Sequence, residues 1–418
     1  MKKRVLLGSL VFTSFTVFAS AQSNQLRPAP TPSRVVITNT LPPAQPIKTP
    51  MPLPKPVQSP EVIVVGGQNT PSQASNLNYR SLSFGQIKAK IAEAKRQMQM
   101  RPLTTASVEP SVATSLVRIA FYDWQDKKID YIVISKDAFL TPYISTNATS
   151  TNGRLMTTRT IRANGVNTPI TVTDNRGQAQ LPLLIQYPVE KNGRYVETAY
   201  YMSTHPGLVT PEVVSAGRFY VHNVIELARE RLRERGYAIQ PKVADIAERL
   251  ATVEHVDQFR FRTESPSNIF NDIFTLYALN EGQTFRYSVS FAGAGGMVQM
   301  IPPTYRMIRA RYFNAGLMPD FVEGMRNHVN AAEAMLLYMQ MTWNDLASSP
   351  AITNAMLTHI ATQEHLMAAG YNSNPSRLAG YISRGGANWA ALIPRETKIY
   401  LQVYDSLDSA VPVTPRKH

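Results

Sequence analysis

The sequence predicts an α+β protein: a mostly helical C-terminal domain preceded by a small β-rich domain and a disordered, proline-rich N-terminal segment. Three observations lead there. Residues 28–60 hold 11 prolines in 33 positions. Between residues 116 and 209, β-branched and aromatic runs alternate with Gly- and Asn-containing turns. Beyond Thr210, apolar residues recur at helical spacing.

The first 21 residues read as a signal peptide. Lys2, Lys3 and Arg4 precede an apolar run over 5–18, and Ala19-Ser20-Ala21 fits a small-x-small cleavage pattern. The mature chain is expected to begin at Gln22 and to be exported to the periplasm, the cell wall or the medium. The apolar run is short for a bilayer, so no transmembrane segment is expected once the signal is removed.

The chain has no cysteine, which excludes a disulfide framework, cysteine nucleophiles and thiolate metal sites. The formal charge is +14, and loss of the three basic residues with the signal leaves +11. Such a surface favours polyanions. Nucleic acid is not expected, because no fold-specific nucleic-acid signature accompanies the charge.

Residues 22–75 are predicted to be a proline-rich linker, since dense proline blocks helical ladders and favours extended chain. Residues 76–110 form a short helix and a connector. Ser83 caps that helix, and Phe84, Ile87, Ile91, Ala94 and Met98 share one face. Residues 111–210 make the β-rich accessory domain, with strands over 116–122, 129–134 and 181–187. Asn192-Gly193 closes a hairpin between 183–189 and 195–201. Residues 211–408 are the helical domain. One helix covers 213–234 and stops at Gly236, another starts at Pro241, and helix continues mostly to Tyr404. Residues 409–418 are a tail, frayed from Pro412 onward.

The candidate chemistry lies in the helical domain. Ser265 and Pro266 start a helix carrying Ile269, Phe270, Ile273, Phe274 and Tyr277, which should end at Glu281-Gly282. Ile273, Tyr277 and Glu281 lie four apart, so Glu281 emerges near the apolar face. Desolvation there lets a carboxyl hold a proton near neutrality and act as a general acid. Gly293-Ala294-Gly295-Gly296-Met297-Val298-Gln299 follows, then Pro302-Pro303-Thr304. Glycine lets backbone approach a bulky ligand, and the Gln299 amide suits hydroxyl and acetamido groups.

This stretch resembles the soluble lytic transglycosylase family, whose catalytic domain is lysozyme-like. The family carries Glu-Ser at a helix end, Gly-Ala-x-Gly-Leu-Met-Gln, Pro-x-Thr, Ala-Tyr-Asn-x-Gly and a late Glu-Thr-x-x-Tyr. Here the last two read Gly370-Tyr371-Asn372-Ser373-Asn374 and Glu396-Thr397-Lys398-Ile399-Tyr400. The family's Glu precedes the second motif glycine by fifteen residues, as Glu281 precedes Gly296. The resemblance covers roughly 266–404. It departs at Gly282, where Ser is usual, and at Met297-Val298, where Leu-Met is usual. Glu264-Ser265 has the family's wording but stands at a helix start, where the dipole favours an ionised carboxylate.

The resemblance implies cleavage of the MurNAc-β-1,4-GlcNAc bond in peptidoglycan glycan strands, with 1,6-anhydro-MurNAc ends and Glu281 as the single acid/base. It implies substrate contacts from Gln299, Met297, Tyr371 and Asn372, with Tyr371 orienting the carboxyl. Glu396 and Tyr400 become structural or cleft supports. No cofactor or metal is expected: His359, Glu364 and His365 lack a His-Glu-x-x-His order, and Glu254, His255 and Asp257 lack a third ligand. Two rival readings are a lysozyme-type muramidase and a non-catalytic wall-binding or structural protein. Cell-envelope proteins are a further class of partner.

Overall fold

A computed structural model describes residues 80–101, 103 and 114–417. The signal-peptide and proline-linker expectations lie outside the described residues.

Helix α1 (Phe84–Met100) begins with a full capping box: Ser83 Oγ accepts from Gln86 N, and Gln86 Oε1 accepts from Ser83 N. Its Ile87, Ile91, Ala94 and Met98 are buried, as their spacing predicts. Seven antiparallel strands follow: β1 (Leu116–Asp123), β2 (Lys128–Ser135), then a short helix α2 (Lys136–Leu140), β3 (Ser145–Thr149), β4 (Leu155–Thr160), β5 (Ile170–Asp174), β6 (Ala179–Lys191) and β7 (Arg194–Tyr201). They form a curled sheet in the order β2-β1-β6-β5-β4-β3, with β7 also on β6. Asn192 and Gly193, both at positive φ, close the β6–β7 hairpin.

Strand β6 is buried along its first eleven residues. On one side, Leu181, Leu183 and Leu184 pack with the buried face of α1 and with Ala278 and Leu279. On the other, Ile185 and Tyr187 join Val117, Ile119 and Phe121 in a core that continues into the helices. The helix at 84–100 is thus part of the β domain's packing.

The helical region contains α3 (Pro211–Glu234), α4 (Pro241–Val253), α5 (Gln258–Thr263), α6 (Pro266–Asn280), α7 (Pro302–Arg311), α8 (Phe321–Arg326), α9 (His328–Ala347), α10 (Pro350–Leu357), α11 (Gln363–Asn372), α12 (Leu378–Gly385) and α13 (Arg395–Ala410). Gly236 adopts φ +85 after α3, the predicted stop. Helices α3 and α6 cross at Gly217, where a Cβ would lie 1.9 Å from the Phe274 carbonyl oxygen. Asn280 stitches α6 to the β domain: its Oδ1 accepts from Met202 N and its Nδ2 donates to Met202 O, each at 3.0 Å.

The chain's end differs from the expected frayed tail. Helix α13 runs to Ala410. Beyond it, Arg416, its side chain only 4 % exposed, ion-pairs with Glu226, Asp245 and Glu248. Sequence spacing gives no sign of pairs this distant.

Candidate active site

Helix α4 presents Val243, Ala244, Ile246, Ala247, Leu250 and Ala251 to the core. Its next residue is Glu254, one further turn along the row of Ala247 and Leu250. The helix therefore delivers Glu254, a residue of intermediate exposure, to the edge of the core at the helix end. Tyr400 of α13 donates its hydroxyl to Glu254 Oε1 at 2.6 Å. The other oxygen makes no hydrogen bond among the described residues. Burial pushes the Glu254 carboxyl up to about 8; the Tyr400 bond opposes this and the charge of Glu396 adds to it.

Two hydrogen bonds fasten the glycine-rich segment beside this carboxyl. His255 Nε2 donates to the Met297 carbonyl at 3.0 Å, and the Tyr371 hydroxyl of α11 donates to the Val298 carbonyl at 2.6 Å. Burial, and next the Glu254 charge, hold the Tyr371 hydroxyl well above its ordinary range. Burial drives His255 down to about 3, so the ring is neutral. That ring stacks on Phe285, centroids 3.4 Å apart. Gly296 is obligatory here: it sits at φ +69, and a Cβ would fall 2.3 Å from the Met325 carbonyl oxygen.

Glu281 is placed differently from the expectation. It does follow α6 at its C-terminal end, at φ 41 and ψ −123, a conformation non-glycine residues rarely adopt. Its carboxylate ion-pairs with Lys88 of α1. Tyr371 is not brought to it as an orienting group; the carboxyl that perturbs Tyr371 is Glu254. Burial first and the Glu281 charge second raise Tyr220, whose hydroxyl donates to His328 Nδ1 at 2.8 Å. A stacked Tyr220–Tyr277 pair thus lies in the core between the surroundings of the two glutamates.

The other expected contacts divide. Met297 is fully buried, so its side chain serves the core instead of a substrate. Gln299, at φ 46, spends its amide on the Gly296 and Ser288 carbonyls at 2.9 and 3.4 Å. That ties down the loop and leaves Oε1 as the unspent group. Asn372 Oδ1 accepts from Thr397 at 2.8 Å, joining α11 to α13. Glu396 is exposed one turn before the buried Tyr400. Glu264 is bound by both ends of the Arg260 fork.

The chain matches no protein-family model, curated protein or solved structure. Among the described residues, no group of three or more His, Asp or Glu is placed to hold a metal ion. No described helix is long and apolar enough to cross a membrane.

Glu254 is a candidate that the sequence reading did not single out as an acid, although the signal was present. It lies on an apolar helical row and at a helix end, the two properties that singled out Glu281. The fifteen-residue spacing drew attention away, because α6 intervenes between Glu254 and the glycine segment.

Proposed function

We propose that this chain is a lytic transglycosylase of bacterial peptidoglycan, with a lysozyme-like helical domain and Glu254, in place of Glu281, as its single acid/base. One observation carries the reading: Tyr400 holds one oxygen of a carboxyl that ends α4 next to His255, which fastens the 293–299 loop, and burial pushes that carboxyl up to about 8. A general acid must keep its proton at working pH and reach the leaving oxygen.

In this reading Glu254 gives its proton to the glycosidic oxygen of a MurNAc-β-1,4-GlcNAc bond as the C1–O bond breaks. Its carboxylate then takes the proton of the muramic C6 hydroxyl, whose oxygen closes on C1. The product is a 1,6-anhydro end and no water is consumed. Tyr400 stabilises the carboxylate between the two steps, and the neutral His255 and Tyr371 hold the loop backbone that borders the sugar. The setting is the cell envelope, in the periplasm or wall.

Glu396 supports a second reading. Its charge raises Glu254, so it is a candidate for the second carboxylate of a hydrolase.

Digestion of purified sacculi followed by mass spectrometry separates the readings. Anhydro ends are expected. Reducing ends would assign the hydrolase instead. Glycan binding without products would leave a wall-binding protein. Glu254→Gln should abolish cleavage while Glu281→Gln retains it; the reverse would restore Glu281.

A further inference from the structure

A cavity of about 430 Å³ opens between the end of α1 and strands β1 and β2, away from Glu254. That volume suits a small organic ligand rather than a bare ion. Three guanidinium groups line it: Arg96, Arg101 and Arg118. Among the described residues none of the three pairs with a carboxylate. Arg118 spends one Nη2 hydrogen on the Met98 carbonyl at 2.8 Å, lies 5.9 Å from the Tyr131 ring centre, and leaves its Nε buried without a partner. Asp130 lines the same cavity. Its Oδ1 accepts from Tyr131 N and Asn152 N at 2.8 and 3.3 Å, while its Oδ2 is buried and unpartnered. Among the described residues the acid near the Tyr131 ring on α1, Glu93, is engaged by Lys90 and Gln97.

Unspent buried donors and acceptors are costly, and a ligand that meets them recovers that cost. A planar carboxylate matches the arginine fork. An N–H donor matches the idle Asp130 oxygen. Phosphate offers the arginines a tetrahedral anion and carries no amide N–H.

We infer that this cavity on the β domain binds the carboxylate end of a peptide, with the arginines taking the carboxylate and Asp130 the adjacent amide N–H. Peptide stems on a wall polymer would present that chemistry, so the biological setting rests on the proposed function; the binding chemistry stands on the cavity alone.

The test is calorimetric titration of the full chain with alanyl-alanine, in its all-L and all-D forms, with the C-terminal amide of each and with inorganic phosphate. One dipeptide form should bind with Kd below about 1 mM. Its amide and phosphate should each bind at least about tenfold more weakly, a difference of roughly 1.4 kcal/mol. Arg96→Met with Arg101→Met changes two exposed side chains and should weaken binding about tenfold without moving the melting temperature. Asp130→Asn should reduce the preference of the dipeptide over phosphate. Equal binding of acid and amide, equal binding of phosphate, or no binding of either dipeptide overturns the inference. If sacculus cleavage persists in that case, the catalytic reading survives; if dipeptide binds and cleavage is absent, only the cavity stands.

Discussion

Tyr400 donates its hydroxyl to Glu254 Oε1 across 2.6 Å, so a residue near the chain's end holds a carboxyl on the second long helix of the helical region. The bond favours the ionised form of Glu254 against the burial that favours the neutral one. Tyr400→Phe should therefore move the alkaline limb of the pH–rate profile upward from about pH 8, with a lower maximal rate. A downward movement, or an unchanged limb, would detach Tyr400 from the reacting group.

The same carboxyl has a signature in stability. Its folded value is raised from 4.5 to about 8, so its contribution is fully present below pH 4.5 and is lost as pH rises to about 8. Glu254→Gln removes that loss. Urea unfolding at pH 5 and pH 8 should show the variant gaining on the wild type at the higher pH. Glu333, raised by burial to about 7 and ion-paired with Arg235, acts in both proteins and cancels in the comparison.

Acid should act in the opposite sense through three buried histidines. Burial lowers His205 and His255 to about 3 and His328 to about 4. Their contribution is present above the unfolded value of 6.5 and is lost as pH falls from there toward 3 or 4. His328→Asn should shallow the decline between pH 6.5 and 4 in a denaturant series. An equally steep decline would show that His328 is not neutral in the fold.

Two glycines should respond oppositely. Gly217→Ala forces a Cβ into the Phe274 backbone and should cost about 3 kcal/mol or more, visible as a lower denaturant midpoint. Gly282 has nothing within 4 Å of an added Cβ. Gly282→Ser should change stability by less than about 0.5 kcal/mol and leave cleavage within about twofold, since Gly282 is not beside the proposed carboxyl.

Arg416→Ala leaves Asp245 and Glu248, both mostly buried, without their cation. A loss of about 3 kcal/mol is expected from breaking such a cluster, read as a drop in melting temperature. A loss below about 0.5 kcal/mol would mean that the tail is only resting on the surface.

Much of the fold was legible because it is written in local pattern. The capping box at Ser83, the four buried positions of α1, the Asn192-Gly193 turn and the Gly236 stop each depend on residues a few places apart. The candidate site residues were legible one by one, and the contacts that each makes were not. Tyr371, Asn372 and Tyr400 were named from their motifs, yet the groups they meet, the Val298 carbonyl, Thr397 and Glu254 in turn, follow from how α11 and α13 pack, which no spacing along the chain records. Met297 was misplaced for a related reason: its side chain goes to the core while its carbonyl is the group that meets His255.

The paired bonds between Asn280 and the backbone of Met202 have a consequence for dissection of the gene. Expressing the helices alone from residue 210 would strand that amide and lay bare Ala278, Leu279 and Val213, which now pack with α1 and the sheet. The boundary visible in composition is not a place where the polypeptide can be divided. The sheet and the helices should melt in a single calorimetric transition and be inherited as one piece.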